Sequence, residues 1–266
     1  MSQAKGSDWA LILGASSGFG EATAIELARS GMNIFGVHFD RKSTQPHVEE
    51  VTGKIRELGR KAVFFNINAA DAEKRSAVLD EMGAQLKETS GTVRVLLHSL
   101  AFGTLKLFAA ENAKDEISQP QMEMTLDVMA NSLVYWTQEL VRRNQMGEGG
   151  RIYAMTSSGG TRVLPSYGAV SAAKASLESH IRQLAMELAP RGITANAIRA
   201  GVTDTPALRK IPGNEKLLEI AAQRNPSKRL TTPQDIGKAI AVLCHRDTYW
   251  LTGNTLGVDG GEDIVG

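Results

Sequence analysis

"WALILGASSGFG" occupies Trp9–Gly20, and its reading decides the fold. An unbroken apolar run ends at Gly14, and glycines return at Gly18 and Gly20. A short apolar run without alternation fits a strand buried on both faces. Beyond the glycines, Ala22, Ile25 and Ala28 keep an apolar face at helical spacing. A glycine loop between such a strand and such a helix leaves backbone N–H groups free. It also admits an anion that a β-carbon would block. The helix dipole adds roughly half a positive charge at that end. Isolated glycines of this kind also make plain tight turns. Here the strand before, the helix after and the position in the first βα unit point to a dinucleotide phosphate.

The same alternation continues outward from this stretch. Apolar runs recur at Asn33–Phe39, Lys61–Ile67, Val93–Ser99, Gly150–Thr156, Ile193–Ile198 and Thr255–Gly260. Helix-like segments lie between them, near 19–30, 46–58, 71–89, 120–146, 168–190 and 233–244. Strands apolar on both faces and separated by helices predict an α/β fold. It is a Rossmann-type, doubly wound parallel sheet of about seven strands with helices on both faces. Residues 1–266 read as one dinucleotide-binding reductase domain. The ligand crevice is expected at the carboxyl ends of the strands. One stretch interrupts the pattern, "DTPALRKIPGNEKLLEIAAQRNPSKRLTTP". It predicts one or two short helices and a lid over the crevice at about 203–227, with Leu208, Ile211, Leu217 and Leu218 either lining it or packing the lid helix.

Composition narrows the function classes. Of 266 residues, 42% are hydrophobic and 22% charged, enough for a full core and a soluble surface. Thirty basic residues against 29 acidic leave a net charge of +1, which argues against nucleic acid as partner. The single cysteine, Cys244, allows no internal disulfide and fits a reducing, cytoplasmic setting. The apolar run before Gly14 is too short for a signal peptide or a membrane span. No His, Cys, Asp or Glu cluster has metal-ligand spacing, so no metal is expected.

Two further stretches carry chemistry. At the end of the second apolar run, "GVHFDRK" puts His38 where an NAD-type acid is expected, followed by Asp40, Arg41 and Lys42. An arginine there favours a 2′-phosphate and an acid favours a free ribose. Arg41 and Lys42 therefore favour NADPH, either of them can be only a solvated turn residue, and Asp40 keeps NADH open. The second stretch is "YGAVSAAK", Tyr167–Lys174. Seven helical steps come to about 700°, so the two ends share one face, about 10 Å apart along the axis. A nearby ammonium favours a phenolate and would strengthen the phenol as an acid. The small residues between them let a cofactor or a helix approach closely. A surface Tyr–Lys pair is the bland alternative.

In family order, "GASSGFG", "TSSGG", "YGAVSAAK", "NAIRAG" and "VDGG" resemble the short-chain dehydrogenase/reductase superfamily over essentially the whole chain. Common members separate tyrosine and lysine by three residues. Here six intervene, and Val170 fills the nearer tyrosine position. Six is the spacing of bacterial enoyl-acyl-carrier-protein reductases, which "HSLAF" (His98–Phe102) also resembles. The catalytic asparagine of common members is replaced by Met129, with Asn131 two residues on. Ser157 stands where the best-known enoyl reductases have a second tyrosine; it resembles both ordinary members and a smaller, NADPH-using enoyl reductase type, which "TDTPALRKIPGNEKLLEIAAQRNPSKR" also resembles.

The resemblance implies an NAD(P)H-dependent reduction of a trans-2-enoyl thioester on acyl carrier protein or coenzyme A, in fatty acid biosynthesis. Tyr167 would stabilise the oxyanion, Lys174 would hold the nicotinamide ribose, and Ser157 would either assist the oxyanion or order its loop. Gly14 and Ser16, Ser17, Gly18, Phe19 and Gly20 would cradle the pyrophosphate, and Arg41 would meet the adenosine side. Asn68 and Ala69 would lie at the adenine, with a turn-capping role as the alternative for Asn68. Ser99, Ala101 and Gly103 would line the ribose side, and Gly201, Thr203 and Thr205 the nicotinamide side, with a helix cap as the alternative for Thr205. Met122, Met124 and Met129 are read as core or subunit contact and His98 as the end of the fourth strand. Arg209, Lys210, Lys228 and Arg229 either attract an acidic carrier or are a solvated loop. A homotetramer built on the 120–146 and 168–190 helices is expected. The competing readings are a carbonyl or 3-ketoacyl reductase and a non-catalytic dinucleotide sensor.

Overall fold

Seven runs of sequence form strands: β1 (Asp8–Leu13), β2 (Asn33–His38), β3 (Ala62–Asn66), β4 (Thr92–His98), β5 (Arg151–Ser157), β6 (Thr194–Ala200) and β7 (Thr255–Val258). All pair in parallel in one sheet, in the order β3-β2-β1-β4-β5-β6-β7. The computed structural model describes residues 8–265. The expectation of no signal peptide falls partly on residues 1–7, which lie outside the described residues, as does Gly266. The helices are α1 (Gly18–Arg29), α2 (Gln45–Glu57), α3 (Ala72–Glu88), α4 (Gln119–Leu126), α5 (Ser132–Arg142), α6 (Gly168–Leu188), α7 (Asn214–Arg224) and α8 (Pro233–Leu243).

The continuous apolar runs arise because both faces of the sheet are covered. Along β1, Trp9, Leu11 and Leu13 enter one core with Leu79 of α3, Trp136 of α5 and Leu177 of α6. Ala10 and Ile12 enter the other with Leu27 of α1, Ile55 of α2 and Ile240 of α8. Trp9 also stacks on Phe35 of β2, with ring centroids 4.0 Å apart. No helix among the described residues is long and apolar enough to cross a membrane.

Register aligns the strand ends that build the site. Phe65, Val37, Leu13, His98 and Ala154 form one row across β3, β2, β1, β4 and β5, and His38 and Asn66 lie one residue further on. The loops leaving this edge therefore emerge side by side. The chain reverses its strand order at the β1/β4 gap, where a doubly wound sheet opens its crevice.

Two segments depart from the sequence reading. The stretch 120–146, expected as one helix, is α4 and α5 joined by a π turn over Asp127–Asn131. The hydroxyl of Ser132 donates to the Val128 carbonyl at 2.8 Å, so the Ser132 amide reaches back to Asp127. A side chain that occupies the usual carbonyl widens the turn. The β4–α4 connection, 99–118, was not anticipated as a structural unit. Lys106 Nζ holds it by donating to the carbonyls of Lys114 and Glu116 at 2.6 and 3.2 Å.

Trp136 ties α5 to the turn after β3, because its indole N–H donates to the Ala69 carbonyl at 2.9 Å. Trp136→Phe strands that buried carbonyl, which costs about 1–3 kcal/mol. Thermal unfolding should register a drop of roughly 2–4 °C per kcal/mol lost.

Candidate active site

The glycine loop is built by exclusion of side chains. Gly14 ends β1 at φ +90°, and a β-carbon there would lie 2.4 Å from the Ser99 carbonyl oxygen. The Ser99 amide donates to the Leu13 carbonyl at 2.8 Å, which closes the loops after β1 and β4 together. A β-carbon on Gly20 would lie 1.9 Å from the Gly14 carbonyl, so α1 can start this close to β1 only with glycine. Ser17 caps α1 without a side-chain hydrogen bond, which leaves the first-turn amides to an outside acceptor. A β-carbon on Gly18 would lie 3.5 Å from the Thr205 methyl, so the loop lies beside the segment after β6. Such a cradle fits a dinucleotide pyrophosphate.

At the β2 end, His38 is buried and pairs with Asp40, Nδ1 to Oδ2 at 3.0 Å. Burial pushes the imidazole down against the pull of Asp40. For Asp40, burial would raise the carboxyl. Hydrogen bonds from Ser16, Thr44 and His38 outweigh it and hold the group below the usual carboxylate range. A reciprocal pair of bonds with Asn66 at 2.9 Å pins its backbone. Arg41 and Lys42 are exposed in the same loop. Asn68 accepts from the Ala70 amide at 3.0 Å, a turn-forming bond, and Ala69 is buried beneath Trp136.

The crevice itself is a cavity of about 340 Å³. Phe19, Ser99, Ala101, Ser157, Tyr167, Lys174, Gly201, Thr203 and Thr205 all line it. Arg41, Asn68 and Ala69 do not, and sit toward the β2–β3 side of the sheet. Gly103 lines the wall against Met129 and Val170, where a β-carbon would meet the methionine sulfur at 2.8 Å. Met129 is thus both core and cavity wall. From the segment after β6, Leu208, Ile211 and Leu217 line the space and Leu218 does not. Thr205 Oγ1 accepts from the Leu208 amide at 3.2 Å, the capping role.

Tyr167 begins α6 and is nine-tenths buried. The residue before it, Ser166, holds the left-handed region at φ +59°, a strained approach of the kind found at functional sites. Burial raises the phenol above its ordinary value, and a hydrogen bond with Ser157 opposes this. Ser157 also accepts from the Gly159 amide at 3.1 Å, so one hydroxyl orders the loop and meets the phenol. Lys174 is buried, and burial lowers its ammonium to about 8 against the pull of Glu178. Its Nζ donates to the Met155 carbonyl at 2.7 Å. The expectation of a phenol acidified by its lysine is therefore corrected. Desolvation governs both groups and drives each toward its neutral form.

Sequence reasoning missed most of the charged rim. Arg162, Arg224 and Glu262 line the cavity together with Lys210, which the sequence singles out. Arg162 pairs with Asp263 at 2.9 Å, Arg224 donates to the Val265 carbonyl at 2.6 Å, and Glu262 accepts from the Val202 amide at 3.1 Å. No local pattern announces them, because segments distant in sequence bring them together. Arg209 and Arg229 are paired with Asp204 and Asp235, and Lys228 donates to the Gln223 carbonyl.

The sequence model of the family described as Enoyl-(Acyl carrier protein) reductase matches residues 14–262. A 1-cyclohexenylcarbonyl-CoA reductase from Streptomyces collinus is 28% identical over 257 residues, covering 96% of this chain and 86% of that protein. The NADH enoyl-[acyl-carrier-protein] reductase FabI of Aquifex aeolicus is 32% identical over 181 residues, 68% of this chain and 66% of that one. Among solved structures, the promiscuous reductase LugOII, described as catalysing keto-reduction at C1 in lugdunomycin biosynthesis, superposes with a TM-score of 0.83. It is 27% identical over 99% of this chain and 100% of that one.

Gly20→Ala tests the cradle. The added methyl must displace the Gly14 carbonyl, an overpacking strain of about 1–3 kcal/mol. Calorimetric titration should register at least about a tenfold loss of nicotinamide dinucleotide affinity, and circular dichroism a retained fold.

Proposed function

The chain belongs to the short-chain dehydrogenase/reductase family, within the enoyl-(acyl carrier protein) reductase group, and from that premise we propose that it reduces the trans-2 double bond of an enoyl thioester in fatty acid biosynthesis. The observation that carries this reading is the opening of Tyr167 and Lys174, six residues apart, onto one cavity walled by Leu100, Leu105, Met129, Leu164 and Val170. An apolar wall suits an acyl chain, and the few convergent polar groups suit its thioester. The Streptomyces collinus relative, named for reduction of a CoA thioester, supports the same substrate class.

A nicotinamide dinucleotide, when bound, supplies the hydride. Negative charge then develops on the thioester oxygen, and the Tyr167 hydroxyl donates a hydrogen bond to it. The raised phenol pKa keeps Tyr167 protonated for that task. Ser157 holds the phenol in position through their shared hydrogen bond. Lys174 would hold the nicotinamide ribose and would add positive potential there. The glycine loop with Ser16 and Ser17 would hold the pyrophosphate, and Gly201, Thr203 and Thr205 the nicotinamide side. Arg41 and Lys42 outweigh the single anion of Asp40 and favour NADPH over NADH. Residues 203–227 act as the lid of a one-domain, cytoplasmic enzyme that works as a homotetramer and accepts acyl carrier protein or coenzyme A thioesters.

A carbonyl reductase is the second reading. Ser157, shared with ordinary members, and the keto-reducing structural relative favour it. Crotonyl and acetoacetyl thioesters, each offered with NADPH and with NADH, separate the readings. The first predicts faster turnover of crotonyl thioester with NADPH, and preferential turnover of acetoacetyl thioester would overturn it.

Tyr167→Phe should lower kcat for crotonyl thioester by about 10²–10³, the range for one lost oxyanion donor, with NADPH affinity nearly unchanged. The pH profile should carry an alkaline limb. Lys174 is charged below its pKa of about 8, so kcat/KM should fall as pH rises through that value. The limb cannot come from Tyr167, whose pKa lies above its ordinary value of 10.0.

A further inference from the structure

Behind the cavity wall lies an imidazole that the reaction above does not use. His98 closes β4 with no exposure, opposite Ala154 of β5. Its Nε2 lies 2.9 Å from the hydroxyl of Ser132 at the end of the π turn. Ser132 already donates its proton to the Val128 carbonyl. One hydroxyl proton cannot serve both, so Nε2 carries the imidazole hydrogen and donates it to Ser132. Nδ1 is then a bare acceptor. It is buried, and no described protein group bonds to it. Left so, it costs as much as a lost hydrogen bond, and a buried acceptor of this kind calls for a partner.

The complementary donor is at Lys174. Its ammonium has three N–H donors, and the Met155 carbonyl takes one. Met155 follows Ala154, the cross-strand neighbour of His98, so both groups approach the same short piece of β5. Burial first, and the Lys174 charge second, push the His98 imidazole down to about 3, against the pull of the Val128 carbonyl and of its own backbone carbonyl. It is therefore a neutral acceptor throughout the working pH range. Facing this pair are Tyr167, Glu178 and His180 on α6. Glu178 accepts from the Thr156 hydroxyl at 2.7 Å, and His180 lies 3.2 Å from Asn131 Oδ1.

We propose that one internal water bonds both His98 Nδ1 and Lys174 Nζ, so that His98 and Ser132 are positioning residues for the lysine. The role of Lys174 itself rests on the function proposed above. In this arrangement the π turn has a task, since it sets the Ser132 hydroxyl that fixes the tautomer of His98.

A high-resolution crystal structure with NADPH should contain a water within hydrogen-bond distance of both nitrogens. A dry Nδ1, or one bonded to another group, overturns the proposal. His98→Leu removes the acceptor, and His98→Gln keeps one. With crotonyl thioester, His98→Leu should lose about tenfold in kcat at little change in KM for NADPH, the low end for a charge-assisted bond. Its alkaline limb should move to lower pH, because an ammonium with fewer acceptors releases its proton sooner. His98→Gln should recover both. An unmoved limb in a His98→Leu protein of unchanged melting temperature also overturns it. If no thioester is reduced at all, the function proposed above fails, while the crystallographic water still decides this inference.

Discussion

The site depends on one contact at the place where strand order reverses. Gly14 has no side chain, so the Ser99 carbonyl can sit where its β-carbon would be, and the Ser99 amide closes on Leu13. That contact joins the loops after β1 and β4. The glycine loop lies on one side of it and the wall formed by Ser99, Ala101 and Gly103 on the other. Gly20 repeats the device one layer out by letting α1 begin against the Gly14 carbonyl. A single methyl at either position would open the crevice floor, whatever the rest of the sheet does.

Burial, more than pairing, then sets the charges. Tyr167 is raised and Lys174 lowered for the same reason, removal from water. The phenol is secure as a neutral donor, whereas the ammonium holds its proton only narrowly at neutral pH. The groups that steady it, the Met155 carbonyl and Glu178, therefore matter more than they would on a surface helix. The same desolvation keeps His98 neutral beside a cation, which makes it usable as an acceptor.

How much of this was legible follows from the range of each interaction. The seven strands could be read because two covered faces force continuous apolar runs. The Tyr167–Lys174 face could be read because helical geometry fixes it locally. The sign of the phenol shift could not, since spacing reports proximity and not desolvation. The π turn escaped because Ser132 acts on a carbonyl within an otherwise regular helical pattern. Arg162, Arg224 and Glu262 escaped because the C-terminal segment meets them only in the folded chain. Asn68 and Thr205 were named with two roles each, and the structure gives both a local backbone acceptor role.

Two departures from the common family pattern become one arrangement in three dimensions. Met129 fills the wall at Gly103 with a thioether, which has no strong hydrogen bond to offer a substrate. A polar group on that turn is instead set deeper, in Ser132, and points at His98. The exchange moves hydrogen-bonding capacity from the cavity surface to the layer behind the lysine. A cavity so lined discriminates by shape and by the two or three donors at Tyr167 and Ser157. The apolar wall of Leu100, Leu105, Met129 and Val170 suits the acyl chain of the proposed substrate, whereas hydroxyl groups set against it would be left unpaired, and charged groups would have to reach the rim of Arg162, Lys210, Arg224 and Glu262.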